Sequence, residues 1–129
     1  MYEFMEDYKT GIEFVDEEHK KLFEIAENAY QLTQNDLLHD KYDHLIHLLE
    51  ELRDYTKFHF SHEEAYMKEI GYKGMFTQKT QHDAFIQKLE ELDFHDLDEN
   101  SEQMIDEILH FLTDWLVSHI LNVDKLISK

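Results

Sequence analysis

Across 129 residues the chain contains no proline and only 3 glycines. That shortage of turn formers constrains the fold more than any other feature. A sheet of this size needs many tight turns, and their backbone geometry falls mainly to Gly and Pro. Long helices joined by a few short loops fit the chain instead, and its length suits one domain, 1–129, with one core. The hydrophobic share is 42%, with 9 Phe and 7 Tyr, which is enough for a packed interior.

The apolar pattern divides the chain into an arm and four helices. In residues 1–15, Tyr2, Phe4, Met5, Tyr8, Ile12, Phe14 and Val15 follow no helical period. They read as an extended arm whose aromatics pack on the body, with a bend at Gly11. Asp16 reads as the N-cap of a first helix that runs to about Leu37, with Glu17 and Glu18 in its first turn. A second helix begins near Asp40 or Lys41 and stops at Gly71, a natural C′ residue. A third runs from about Met75 to Phe94. Asn100 or Ser101 caps the fourth, whose inner stripe is Ile108, Leu112, Trp115, His119, Val123 and Leu126. The expected architecture is an all-α, up-down-up-down antiparallel four-helix bundle with an extended N-terminal arm.

Composition narrows the chemistry. The chain has no cysteine, which excludes disulfides, thiolate metal sites and a Cys nucleophile. A formal net charge of −18 argues against nucleic acid and anionic membrane as partners. No leader-like segment and no apolar run near the ~20 residues of a membrane span is evident. A cytoplasmic monomer is the expectation. The 10 histidines stand out.

In the expected topology, the start of the first helix, the end of the second, the start of the third and the end of the fourth share one end of the bundle. The inward polar residues all lie there: His19; His59 and Glu63; Gln78 and His82; His119 and Asp124. A lone inward histidine is more often a satisfied core residue than a ligand. Burying this many polar groups at one depth without a partner, however, costs a few kcal/mol for each, and more for each charge. A metal resolves that cost. Imidazole and carboxylate without thiolate suit iron, zinc, manganese or copper, and the donors are too many for one tetrahedral ion. Asp124 stands five residues after His119, about 140° round a regular helix, so it needs a widened or frayed last turn to reach the site. His39, His44, His47, His95 and His110 read as surface residues away from that end.

The chain resembles the hemerythrin family along essentially its whole length, bacterial single-domain members in particular. The matching pieces are Gly11-Ile12-Glu13-Phe14-Val15-Asp16-Glu17-Glu18-His19, His59-Phe60-Ser61-His62-Glu63-Glu64-Ala65-Tyr66-Met67, His82-Asp83-Ala84-Phe85, and the run from Trp115 through His119 and Asp124 to Lys125. The resemblance implies two iron ions, oxo- or hydroxo-bridged, that bind dioxygen reversibly for storage, transport or sensing. It implies that Glu63 and Asp124 bridge the irons. His19 and His59 would serve the iron with the open position, and His82 and His119 the other. Phe60, Trp115 and Leu116 would wall the O2 pocket, with Tyr8 covering it.

One position departs from the family pattern, where Gln78 stands in place of an imidazole. Three outcomes remain open: the Gln78 oxygen coordinates weakly, water or an anion takes the position, or part of the population loses the second iron. The expectation is that the centre still forms and that autoxidation is faster. His62, three residues after His59, is a candidate substitute ligand set against the plainer reading of a boundary residue. No catalytic residue stands out beyond the metal donors, so the main role reads as O2 binding and not catalysis. The alternatives are a di-iron redox enzyme of peroxidase or oxidase type, and an O2 or redox signalling module. A ferritin-like oxidase is disfavoured, because it needs two Glu-x-x-His motifs and only Glu107 with His110 fits.

Overall fold

The structure, a computed structural model, describes residues 3–34, 41–91 and 102–128, with the side chains of Glu102 and Ser128 excepted. Among the described residues all regular structure is helical and there is no strand. A 3-10 turn at Glu6–Tyr8 precedes four helices: α1 at Glu13–Thr33, α2 at Lys41–Ile70, α3 at Met75–Glu90 and α4 at Glu102–Asn122. A second 3-10 segment, Asp124–Ser128, follows α4. α1 packs on α2 and α4, and α2 packs on α3. The expected four-helix bundle is what forms. α1 ends at Thr33 and α3 at Glu90, short of the expected Leu37 and Phe94. The caps expected at Asn100 and Ser101, and Tyr2, His39 and His95, lie outside the described residues.

The helix boundaries show which local signals hold. α2 ends in a Schellman motif: Gly71 has φ +67, its N–H donates to the Lys68 carbonyl at 3.2 Å, and the Tyr72 N–H donates to the Met67 carbonyl at 2.9 Å. α1 begins earlier than expected. Its N-cap is Ile12, which makes no side-chain cap bond, and Asp16 lies inside the helix with its N–H on the Ile12 carbonyl at 3.0 Å. The Asp16 carboxylate instead accepts from the Thr10 N–H at 2.8 Å, the Thr10 hydroxyl at 2.9 Å and the Gly11 N–H at 3.1 Å. An aspartate here signals a helix start correctly, but it works backwards, fastening the arm across the left-handed bend at Gly11 (φ +89). The arm is not extended throughout, since the turn at Glu6–Tyr8 interrupts it.

The core divides lengthwise. Ile25 and Ala29 of α1, Leu45 and Leu49 of α2, and Ile105 and Leu109 of α4 are at most 1% exposed and form an apolar end. The opposite end carries most of the buried polar residues, with Lys41 at the start of α2 an exception. Between them runs a column of rings: Phe111 stacks on Phe85 (5.8 Å between centroids), Phe85 on Trp115 (4.0 Å), and Trp115 on the His119 imidazole (4.5 Å). Phe60 lies flat on His82 at 3.8 Å.

The last stripe departs from the expected one. Beyond Asn122 the chain tightens to a 3-10 segment, and its period of three brings Asp124 and Ile127 inward. Leu126, expected inside, is 48% exposed, and Val123 is only half-buried. Asp16→Ala is expected to lower unfolding free energy by about 2 kcal/mol, the order of bonds to one buried charged acceptor. Gly71→Ala should cost about 1–2 kcal/mol for its left-handed φ. Denaturant unfolding of the two variants checks both values.

Candidate metal centre

Every inward polar residue expected at the site is buried: His19, His59, Glu63, Gln78, His82, His119 and Asp124 are each at most 4% exposed. They come from all four helices and the 3-10 segment. Their convergence confirms that alternate helices run in opposite directions.

Two donor groups emerge. His19, His59, Glu63 and Asp124 place ligand atoms within 4.8 Å of one another, and so do Glu63, His82, His119 and Asp124. Both carboxylates belong to both groups, and each divides its oxygens between them. Asp124 Oδ2 is 3.2 Å from His19 Nε2, and its Oδ1 is 3.0 Å from His119 Nε2. Glu63 Oε2 is 3.3 Å from His59 Nε2 and 4.0 Å from His19 Nε2, while its Oε1 is 3.2 Å from His82 Nε2. The helix break after Asn122 supplies the turn that Asp124 needed. It sits at the start of the 3-10 segment, clear of the helical phase that would aim it away.

Gln78 lies inside the second group. Its Oε1 is 2.8 Å from His119 Nε2, and its amide donates to Asp124 Oδ1 at 3.0 Å. His62 points elsewhere: its Nδ1 is 2.6 Å from Glu18 Oε2, across to α1 and away from the third helix. It is therefore neither a substitute donor to the second group nor an idle surface residue. Phe60 and Trp115 stack on His82 and His119, and Leu116 is buried in the core beside them. Tyr8 stacks on Phe23 at 5.6 Å and lines a groove of about 230 Å³ with Thr113 and Val117. Phe23 is one helical turn from His19. His44 and His47 are exposed, and His110 is half-buried with its Nε2 3.7 Å from Asp106.

The pattern of stripes did not reveal Glu18, Glu64 and Gln81. These accept hydrogen bonds from the outer nitrogens of His59, His82 and His119. Each lies next in sequence to an inward donor, and that adjacency was the available signal. Each lies off the inner stripe, which is why periodicity passes over it.

The residues present fit cations. Both oxygens of Glu63 and the Nε2 of His59 are fully buried and make no hydrogen bond within the described residues. A carboxylate taken out of water without donors costs several kcal/mol, which a bound cation offsets. The donors are imidazole nitrogen and carboxylate oxygen, the set that suits iron, manganese or zinc.

Charge in the site is set by the same contacts. Burial pushes the His59 imidazole down, but the hydrogen bond to Glu18 and the charges of Glu63 and Asp124 outweigh it and hold its pKa at about 9. Burial and the charge of Asp124 push Glu63 up, but His59 and His82 hold it below the ordinary carboxylate value. Burial raises Asp124, while His119 and His19 hold it well below its ordinary value. For chain stripped of metal by a chelator, the signs follow. The raised His59 contributes stability that is complete below its ordinary 6.5 and is lost as pH climbs through about 9. The lowered carboxylates contribute stability present above 4.5 and lost as pH falls through their depressed values. The unfolding temperature of stripped chain should be highest between pH 4.5 and 6.5, where both contributions are complete, and fall on both sides; a flat profile from pH 5 to 9 would contradict this assignment.

Sequence and structure comparisons agree with the geometry. Residues 10–128 match the Hemerythrin HHE cation binding domain. Bacteriohemerythrin of Clostridium acetobutylicum is 42% identical over 125 residues, covering 97% of each chain. Bacteriohemerythrin of Pseudomonas aeruginosa PAO1 is 31% identical over 121 residues, 94% of this chain and 75% of that one. Hemerythrin of Themiste dyscrita is 32% identical over 117 residues, 91% and 82% of the two chains. A wild-type hemerythrin crystal structure superposes with a TM-score of 0.74 at 26% identity, over 93% of this chain and 92% of that one. The four-helix bundle, the paired His–Glu–Asp groups and these likenesses together place the chain in the hemerythrin family, with a di-iron centre as its cofactor.

Proposed function

We propose that the chain binds dioxygen reversibly at its di-iron centre, in a storage, transport or sensing role. The observation that supports this most is the division of both buried carboxylates between the two donor groups. Each group offers two imidazoles and one oxygen from each of Glu63 and Asp124, the provision for two cations bridged by two carboxylates. In this reading His19 and His59 hold one iron and His82 and His119 the other, with the Gln78 oxygen as a weak additional donor. An iron pair held by these residues would supply reversible electron transfer to dioxygen.

The chain's own residues govern access. Phe60, Trp115 and Leu116 form an apolar wall that admits a neutral diatomic and keeps out water and protons. Tyr8 closes the α1 flank through its stack on Phe23. Gln78 works in the opposite sense. A carboxamide oxygen binds a metal more weakly than an imidazole nitrogen, and its N–H brings a polar donor to Asp124. The weaker donor leaves that metal position more easily taken by water, which favours faster autoxidation. The same weak position favours a second reading, a di-iron enzyme that reduces peroxide or O2. No helix among the described residues is long and apolar enough to cross a membrane.

An optical spectrum of the reduced chain before and after exposure to air, with metal analysis, tests the proposal. Two irons per chain, one for each donor group, and a visible band that forms and reverses support O2 binding. Irreversible bleaching with peroxide consumption supports the enzyme, and zinc or no metal rejects both. Gln78→His is expected to slow decay of the visible band several-fold, on the scale of one metal-site contact. Equal decay rate and equal iron content would remove Gln78 as the cause.

A further inference from the structure

Which nitrogen an imidazole turns to a metal is set by what holds the other nitrogen. Three of the four site imidazoles are held from outside the cluster, by the same device each time. His59 Nδ1 is 2.7 Å from Glu18 Oε1, His82 Nδ1 is 2.9 Å from Glu64 Oε2, and His119 Nδ1 is 2.8 Å from Gln81 Oε1. Each acceptor stands beside an inward donor of its own helix, next to His19, Glu63 and His82 respectively, yet serves a ring on the following helix. α1 thus orients the α2 imidazole, α2 that of α3, and α3 that of α4. The cycle does not close. His19 Nδ1 is buried with no partner among the described residues.

Glu18 is itself held. Its Oε2 takes the His62 Nδ1 at 2.6 Å, with the Glu18 side chain 10% exposed and that of His62 46%. The His62 ring packs on Phe14 at 4.3 Å. Occupying the second oxygen from the surface side keeps the carboxylate from turning away from His59.

We propose that Glu18, Glu64 and Gln81 are positioning residues for the metal ligands, and that His62 acts through Glu18 to hold His59. The proposal rests on the di-iron reading in taking the inner Nε2 atoms as ligands. An Nδ1–H donated to an oxygen leaves the Nε2 lone pair facing the cluster and stops the ring from rotating. A carboxylate partner also makes its imidazole a stronger donor than an amide partner does. His59 and His82 are therefore firmer donors than His119, and His19 is the ring freest to turn.

The test uses Co(II) and the full chain after chelator treatment. Glu18→Ala is expected to lose about 10–100-fold in Co(II) affinity, the usual cost of removing such a partner, with displaced visible bands. Glu18→Gln retains most of the affinity, because its oxygen still accepts from His59 while its amide donates to the other tautomer of His62. His62→Ala, at an exposed position with little risk to folding, gives a smaller loss in the same direction. In Zn(II)-loaded, 15N-labelled chain, Glu18→Ala moves the hydrogen-bonded Nδ1–H resonance of His59 and leaves those of His82 and His119 in place; Gln81→Ala moves only that of His119. Unchanged Co(II) affinity and bands in Glu18→Ala and Gln81→Ala overturn the proposal, as do equal losses in Glu18→Ala and Glu18→Gln, or resonances that do not move. Variants unchanged beside a parent chain that binds Co(II) remove the positioning roles and leave the centre standing. A parent chain that binds no Co(II) overturns the centre and the positioning roles together.

Discussion

Two carboxylates, Glu63 and Asp124, sit in the interior with 0% and 1% of their surface exposed, and the rest of the molecule is arranged to tolerate them. Removing each ion from water costs several kcal/mol, against a whole-domain stability of about 5–15 kcal/mol. No single helix can supply the compensation, since residues that face inward at one depth recur only about every turn. Four helices must each send a donor to the same place. That requirement accounts for the lengthwise division of the core. The end made of Ile25, Leu45, Leu49, Ile105 and Leu109 is apolar at its centre and carries the packing, while the other end holds the paired carboxylates and imidazoles.

The two donor groups share those carboxylates but differ in their surroundings. His82 and His119 are clamped flat against Phe60 and Trp115, at the end of a ring column that begins at Phe111. His19 and His59 meet edge to face at 4.7 Å. Core packing therefore sets ring planes on one side, whereas on the other side the orientation of His59 rests on Glu18. Gln78 lies on the clamped side, where rigid neighbours hold its amide between His119 and Asp124.

Much of this was legible in residue order. The absence of proline and the scarcity of glycine implied long helices, Gly71 marked the end of α2, and helical phase put His19, His59, Glu63, Gln78, His82 and His119 inside. Three things were not legible, each for a physical reason. Asp16 has the residue type and setting of an N-cap, but tertiary bonds to Thr10 and Gly11 use its carboxylate otherwise. Val123 and Leu126 continue the α period, and the change to a 3-10 period after Asn122 substitutes Asp124 and Ile127. Asp124 could be placed at the site only on condition of a widened or frayed last turn, and the 3-10 segment is that change of period. Glu18, Glu64 and Gln81 lie off their own helices' inner stripes and act across to a neighbour, so no one-dimensional pattern exposes them.

That cross-helix habit has a mechanical meaning. A one-residue slip of a helix along its axis is about 1.5 Å, well beyond what a 2.7–2.9 Å hydrogen bond absorbs. Because each bracing side chain is bolted to one helix and grips a ring on the next, α1 to α4 are indexed to one another like teeth on meshed racks. Any change at the apolar end that lets one helix ride up against its neighbour puts the rings out of step at the other end. Metal content then becomes a gauge of helix alignment, sensitive to substitutions that touch no ligand at all.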